Sequence, residues 1–221
     1  GLGAPLAAST VAGVVREGLE IAPRLKAPVT AFLRIEEPWR QLASERVQAT
    51  LELHVDLDTE TIQGAGRPVP LEAEPTAALA YMLSGSKVWE WELEGFLFGD
   101  LLRQETPTQL FALEPYRPGR IPIVFVHGTA SSPARWAEMF NELQNDPRVR
   151  ARYQFWFFTY ETGNPVLYSA LRLRESLAKA MATLDPARQD PAVHQMVLIG
   201  HSQGGLLAKL MVVDLEKEAR A

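Results

Sequence analysis

The chain has 221 residues, 47% hydrophobic and 22% charged, with 16 prolines; this is the composition of a chain that buries a core, and it excludes a disordered or membrane-embedded one. A formal charge of −5 lacks the basic footprint that nucleic acid requires. The absence of cysteine excludes disulfides, thiolate catalysis and cysteine metal sites.

The apolar start, Gly1-Leu2-Gly3-Ala4-Pro5-Leu6-Ala7-Ala8, is interrupted by Ser9, Thr10 and Arg16, well before the roughly 18 apolar residues of a membrane span. The first residue is Gly1 and not Met, which leaves an export signal ahead of it open. Val11, Val14, Val15 and Leu19 have helical spacing. Val47, Ala49, Leu51, Leu53, Val55 and Leu57 alternate with Gln48, Thr50, Glu52, His54 and Asp56, the period of a strand with its polar side in water. Gly64-Ala65-Gly66 supplies a turn. Trp89, Trp91 and Leu93 alternate with Glu90, Glu92 and Glu94 as a second one-sided strand, and Leu110 to Leu113 is a third candidate. Residues 1–107 thus read as a small α+β region with antiparallel strands.

Residues 108–221 alternate strand and helix. Ile121-Pro122-Ile123-Val124-Phe125-Val126 is an apolar run suited to a strand covered on both faces. Ser132 caps a helix with Pro133 at its first position and Trp136, Met139, Phe140 and Leu143 on one face. Asn145-Asp146-Pro147 ends it. Phe155 to Phe158 is the next strand. Asn164-Pro165 opens a helix whose Val166, Ala170, Leu173, Leu177 and Met181 share a face, and Asp185-Pro186 closes it. Met196 to Ile199 is a third strand, and Gly205 to about Glu218 a third helix. Strands joined by helices of this length imply right-handed crossovers and a parallel sheet, with ligands at the carboxyl ends of its strands.

One such end carries Gly200-His201-Ser202-Gln203-Gly204-Gly205. A bare G-x-S-x-G also occurs in ordinary glycine turns. Here a buried strand precedes it and a helix follows, the setting of a nucleophile elbow. In that setting Gly200 and Gly204 let backbone segments approach, Gly205 keeps the helix start uncrowded, Ser202 is the nucleophile and the Gln203 amide is an oxyanion donor. The other strand end carries Val126-His127-Gly128-Thr129. Thr129 is the candidate second oxyanion donor, Gly128 lets the loop fold over, and His127 braces that loop instead of serving as the base.

Residues 119–221 resemble the first part of an α/β-hydrolase domain of the serine esterase and lipase branch. The resemblance rests on His127-Gly128, on Ser131-Ser132-Pro133 through Trp136, on Phe158-Thr159-Tyr160 and on Gly200 through Gly205. The first half of the chain, including Val69-Pro70-Leu71-Glu72, resembles N-terminal regions of bacterial lipase-like hydrolases. The resemblance implies a hydrolase of carboxylic esters, lipid-like ones included, needing no metal or organic cofactor; a membrane surface is then a natural place for its substrate, and a bacterial envelope or periplasm a compatible location. It also implies the chain order serine, acid, histidine, and no histidine follows His201. Asp214 lies too far along its helix to be the acid. The expected fold is therefore an α/β-hydrolase truncated after the nucleophile helix, inactive alone, behind the α+β region. An acyltransferase using the same acyl-enzyme and a non-catalytic scaffold binding a partner or ligand are the alternatives.

The remaining histidines fit structural roles: His54 as a solvated residue on a strand, His194 ahead of the third strand at the far end of the sheet, His201 packed locally beside Ser202. Asp56, Asp58 and Glu60 lack the glycine and distal glutamate of a calcium loop and read as a solvated strand end. Trp89 and Trp91 are either a packing pair or a sugar or lipid platform. Tyr160-Glu161-Thr162-Gly163-Asn164 either lines the rim shared with Ser202 or caps a helix. Gly64-Ala65-Gly66 lacks the lysine and helix of a phosphate loop.

Overall fold

Strand-forming alternation dominates the first hundred residues and apolar runs the last hundred, and apart from one two-residue strand the described parts of the two build different sheets. The computed structural model describes residues 1–9, 19–21, 25–43, 46–56, 58–64, 66–84 and 108–213. The chain divides into two compact units, Gly1–Val11 with Arg24–Gly85 and Ala12–Pro23 with Ser86–Ala221. The expected Trp89–Trp91 strand, most of the helix at Val11, and Leu57, Ala65 and Asp214 lie outside the described residues.

In the first unit β1 (Ala4–Ser9), β3 (Lys26–Arg34) and β4 (Thr50–Val55) form a three-stranded antiparallel sheet in the order β1-β3-β4; the intervening β2 (Glu20–Ile21) belongs to the second unit. A short helix α1 (Pro38–Leu42), a hairpin of β5 (Thr61–Gly64) and β6 (Arg67–Pro70), and α2 (Pro75–Ser84) complete the unit. The alternation in β4 is present, but its sidedness is the reverse of the expectation. Leu51, Leu53 and Val55 are exposed, with Leu33 and Leu6 on the same side. Asp56 is buried instead of solvated, taking a hydrogen bond from the Thr30 hydroxyl at 2.6 Å. His54 is half-buried, stacked on Phe32 and 3.0 Å from Glu52. The cause is which side the rest of the unit covers: the Thr30 hydroxyl also reaches the Glu72 carbonyl ahead of α2, and Lys26 lies over the ring of Tyr81 on α2. A period of two defines two sides without saying which becomes the inside.

The second unit is an α/β layer structure with a largely parallel sheet, in the order β10-β8-β9-β7-β2. Its strands are β7 (Gln109–Ala112), β8 (Ile121–Val126), β9 (Tyr153–Thr159) and β10 (Val197–Gly200), besides β2. β10, β8 and β9 run parallel, and β7 lies antiparallel to β9. Ser132 takes a hydrogen bond from the Ala134 amide at 3.3 Å and starts a 3-10 turn, Pro133–Trp136, that leads into α3 (Ala137–Asn145). The buried face follows a four-residue spacing, Trp136, Phe140 and Gln144, and Met139, on the flank of that stripe, is exposed. Asp146 caps the short α4 (Pro147–Arg152) by accepting from the Arg148 amide at 2.9 Å. α5 (Val166–Leu184) and α6 (Gln203–Val212) follow β9 and β10. α6 begins two residues ahead of the expected Gly205.

Each side of β8 and β9 is covered. Phe125, Phe155 and Phe157 pack with Trp136 and Phe140. Val124, Val126, Trp156 and Phe158 join Ala170, Leu173 and Leu177 of α5 and Leu207 of α6 in one cluster. Phe158, Leu173 and Leu207 are 0% exposed, and each such side chain contributes about 1.5–3 kcal/mol. This double cover is why the strands read as unbroken apolar runs.

Candidate functional site

Register places three loops at one edge of the sheet. Gly200 is paired with Val126, and Val126 with Phe158, so residues 127–130, 160–165 and 201–203 leave the carboxyl ends of β8, β9 and β10 side by side.

Ser202 sits between β10 and α6 at φ 53° and ψ −121°, a region costly to any residue with a side chain, on the order of 1–3 kcal/mol. The surroundings hold it there. The His201 amide donates to the Val126 carbonyl at 3.0 Å, the Gly204 amide to the His201 carbonyl at 2.9 Å and the Gly205 amide to the Ser202 carbonyl at 2.9 Å. A methyl group at Gly200 would stand 2.3 Å from the Gly204 carbonyl oxygen, one at Gly204 2.2 Å from the Val126 carbonyl oxygen, and one at Gly128 2.9 Å from the Ser202 Cβ. All are impossible without moving backbone or the serine itself. Gly205 differs from the expectation: a methyl there would meet the Gly200 carbonyl at an ordinary 3.5 Å. Ser202 and His201 are exposed, and the Ser202 hydroxyl has no hydrogen-bond partner among the described residues.

The Gln203 amide opens α6, where helix amides point outward without an intrahelical acceptor. Thr129 follows Gly128 on the neighbouring loop. Among the described residues neither amide has an acceptor, so both are free to bind an anion. Ala130, next to Thr129, is held at φ 50°.

His127 is 2% exposed. Its Nδ1 donates to the Gly128 carbonyl at 3.0 Å, its ring stacks on Tyr160 at 4.7 Å, and the Tyr160 hydroxyl donates to its carbonyl at 2.9 Å. With the proton on Nδ1, Nε2 is a bare acceptor, buried and unpartnered among the described residues. Charging the ring would bury that charge, and burial accordingly pushes its pKa down to about 4. Burial likewise pushes the Tyr160 hydroxyl up to about 12. His127 is thus a neutral pin of the loop. His194 stands ahead of β10, 3.4 Å from Asp185, at the other end of that strand from Ser202. His54 is paired with Glu52 within the first unit.

Side chains of Thr129, Gln203 and Thr162 tie the three loops together. The Thr129 hydroxyl donates to Gln203 Oε1 at 2.9 Å, Gln203 Nε2 donates to the Thr162 carbonyl at 3.4 Å, and the Ala130 amide donates to the Thr162 hydroxyl at 3.2 Å. The loop after β9 therefore belongs to the rim of the site. It supplies no side-chain cap to α5. The position of Thr162 at a strand's carboxyl end was the available signal; its partners were not, because they come from two other loops.

No group of three or more His, Cys, Asp or Glu side chains able to hold a metal occurs among the described residues. No helix among them is long and apolar enough to cross a membrane. Residues 117–220 match the family model described as PGAP1-like alpha/beta domain, within the α/β-hydrolase superfamily, and the match points to hydrolase-type activity. No curated protein and no solved structure matches the chain.

Proposed function

We propose that Ser202 is the nucleophile of a serine hydrolase acting on carboxylic esters, lipid-like ones included. The observation that carries this reading is the backbone of Ser202 at φ 53°, a strain that a merely structural serine has no need to bear. The hydroxyl oxygen bonds to the ester carbonyl carbon, and the carbonyl electron pair moves to oxygen, where the Thr129 and Gln203 amides hold the negative charge. Return of that pair expels the alcohol, which takes up the serine's proton by way of a general base. Water then adds to the acyl carbonyl carbon as the base takes its proton; collapse breaks the bond from that carbon to Ser202 Oγ, the base returns the proton to Oγ, and the carboxylic acid leaves. An alcohol in place of water makes the same intermediate an acyl-transfer species.

The base and its orienting acid come from outside these 221 residues in this reading. Of the four histidines, His127 is buried with its Nδ1 proton committed to the Gly128 carbonyl, His194 stands at the other end of β10, His54 is engaged with Glu52, and His201 is part of the elbow itself. A fluorophosphonate probe applied to the full-length protein tests the proposal: labelling at Ser202, lost in Ser202→Ala, is the expected result. A folded full-length protein that takes no label overturns it in favour of a non-catalytic scaffold. Ester turnover by the isolated 221-residue chain, lost in Ser202→Ala, overturns the assignment of base and acid to groups outside it.

A further inference from the structure

We infer that the side chain of Gln203, together with Thr162, is a positioning clamp that sets the separation of the two oxyanion-donating amides; the inference rests on the hydrolase reading of Ser202. The two amides belong to different loops, and no backbone hydrogen bond joins Thr129 to Gln203. Beyond the backbone bond from the His201 amide to the Val126 carbonyl, side chains link them. Gln203 carries one donor amide in its own backbone, and its Oε1 accepts from the hydroxyl of the residue that carries the other, Thr129, at 2.9 Å. Its Nε2 reaches the Thr162 carbonyl at 3.4 Å, and the Thr162 hydroxyl accepts from the Ala130 amide at 3.2 Å. The loop after β9 therefore grips the oxyanion loop twice, once directly and once through Gln203.

The direct grip falls on a strained residue. Ala130 is held at φ 50°, a conformation that disfavours a residue with a Cβ and persists only where neighbours over-determine it. The Thr162 hydroxyl is the neighbour that engages its amide. Without it Ala130 can relax, and the adjoining Thr129 amide turns with it. Oxyanion donors act only when fixed within a few tenths of an ångström of the developing charge, so a clamp of this kind acts on the transition state and leaves substrate binding alone.

The test uses the full-length protein, a short-chain p-nitrophenyl ester and the fluorophosphonate probe. Thr162→Val keeps the shape of the side chain and removes the acceptor; Gln203→Ala removes both side-chain links and keeps the amide. Each is expected to lower kcat by about tenfold with KM within about twofold and with an unchanged melting temperature. Thr162→Ser is expected to restore kcat, and the double variant to lose less than the product of the two single losses. Wild-type kcat in Thr162→Val overturns the clamp, as does a fall in kcat that follows a fall in melting temperature and is not rescued by Thr162→Ser. A wild-type protein whose Ser202 takes no probe overturns the hydrolase reading and the clamp with it, whereas a labelled wild type with an unaffected Thr162→Val overturns the clamp alone.

Discussion

The Tyr160 hydroxyl donates to the carbonyl oxygen of His127 at 2.9 Å while the two rings stack at 4.7 Å. One tyrosine at the end of β9 thereby holds both the backbone and the side chain of the residue that begins the loop after β8. Removing the hydroxyl leaves a buried carbonyl short of a donor. Tyr160→Phe is expected to cost about 1–2 kcal/mol, read by urea unfolding. A loss below a few tenths of a kcal/mol would show that the bond does not hold the loop.

Burial of His127 makes stability depend on pH with a definite sign. The ordinary value of 6.5 is depressed to about 4 in the folded protein, so below pH 6.5 the unfolded chain takes up a proton that the folded one refuses. The contribution of the neutral ring is complete above pH 6.5 and is lost as pH falls toward 4, by on the order of 3 kcal/mol. Unfolding free energies from pH 4 to 8 are expected to show His127→Gln with a shallower slope in that window, by nearly one proton. Identical slopes in the two proteins would rule out the buried neutral histidine.

Gly204 and Gly205 are neighbours with opposite expected tolerance. Gly204→Ala drives a methyl to 2.2 Å from the Val126 carbonyl oxygen, so the elbow must open and soluble folded protein is expected to be lost. Gly205→Ala meets only ordinary contact and lies within α6, where alanine is favoured over glycine by about 0.8–1 kcal/mol. A small rise in melting temperature is expected. Equal damage from both would contradict the packing described here.

Ser202 itself trades stability for geometry. Glycine accepts φ 53° without the Cβ penalty, so Ser202→Gly is expected to stabilise the fold by about 1 kcal/mol while abolishing fluorophosphonate labelling. Calorimetry on the pair decides it: a destabilised Ser202→Gly would mean that the serine side chain is held by contacts worth more than the strain.

Much of the second unit was legible because its signals are local. The runs at Ile121 and Phe155 announce strands covered on both faces, Asn164-Pro165 and Asp185-Pro186 bound α5 closely, and the elbow pattern placed Ser202 between a strand and a helix. The first unit was read less well. Leu51, Leu53 and Val55 revealed a strand, yet the polar side of that strand is the covered one, because Thr30 and Asp56 satisfy one another there. Met139 departs from the expectation for a smaller reason: the buried stripe of its helix runs through Trp136, Phe140 and Gln144, four residues apart.

By itself the sequence determined the alternation of elements, the glycines that allow the elbow, and the residue that stands at its apex. Those follow from steric rules acting over a few residues, which a linear pattern records. Only the tertiary structure decided that Gly205 has room for a side chain, that His127 is a neutral buried pin, and that Thr162 and the Gln203 side chain join the loops around Ser202. Each of these depends on register between strands far apart in the chain, where a difference of one ångström separates contact from clash or a hydrogen bond from none.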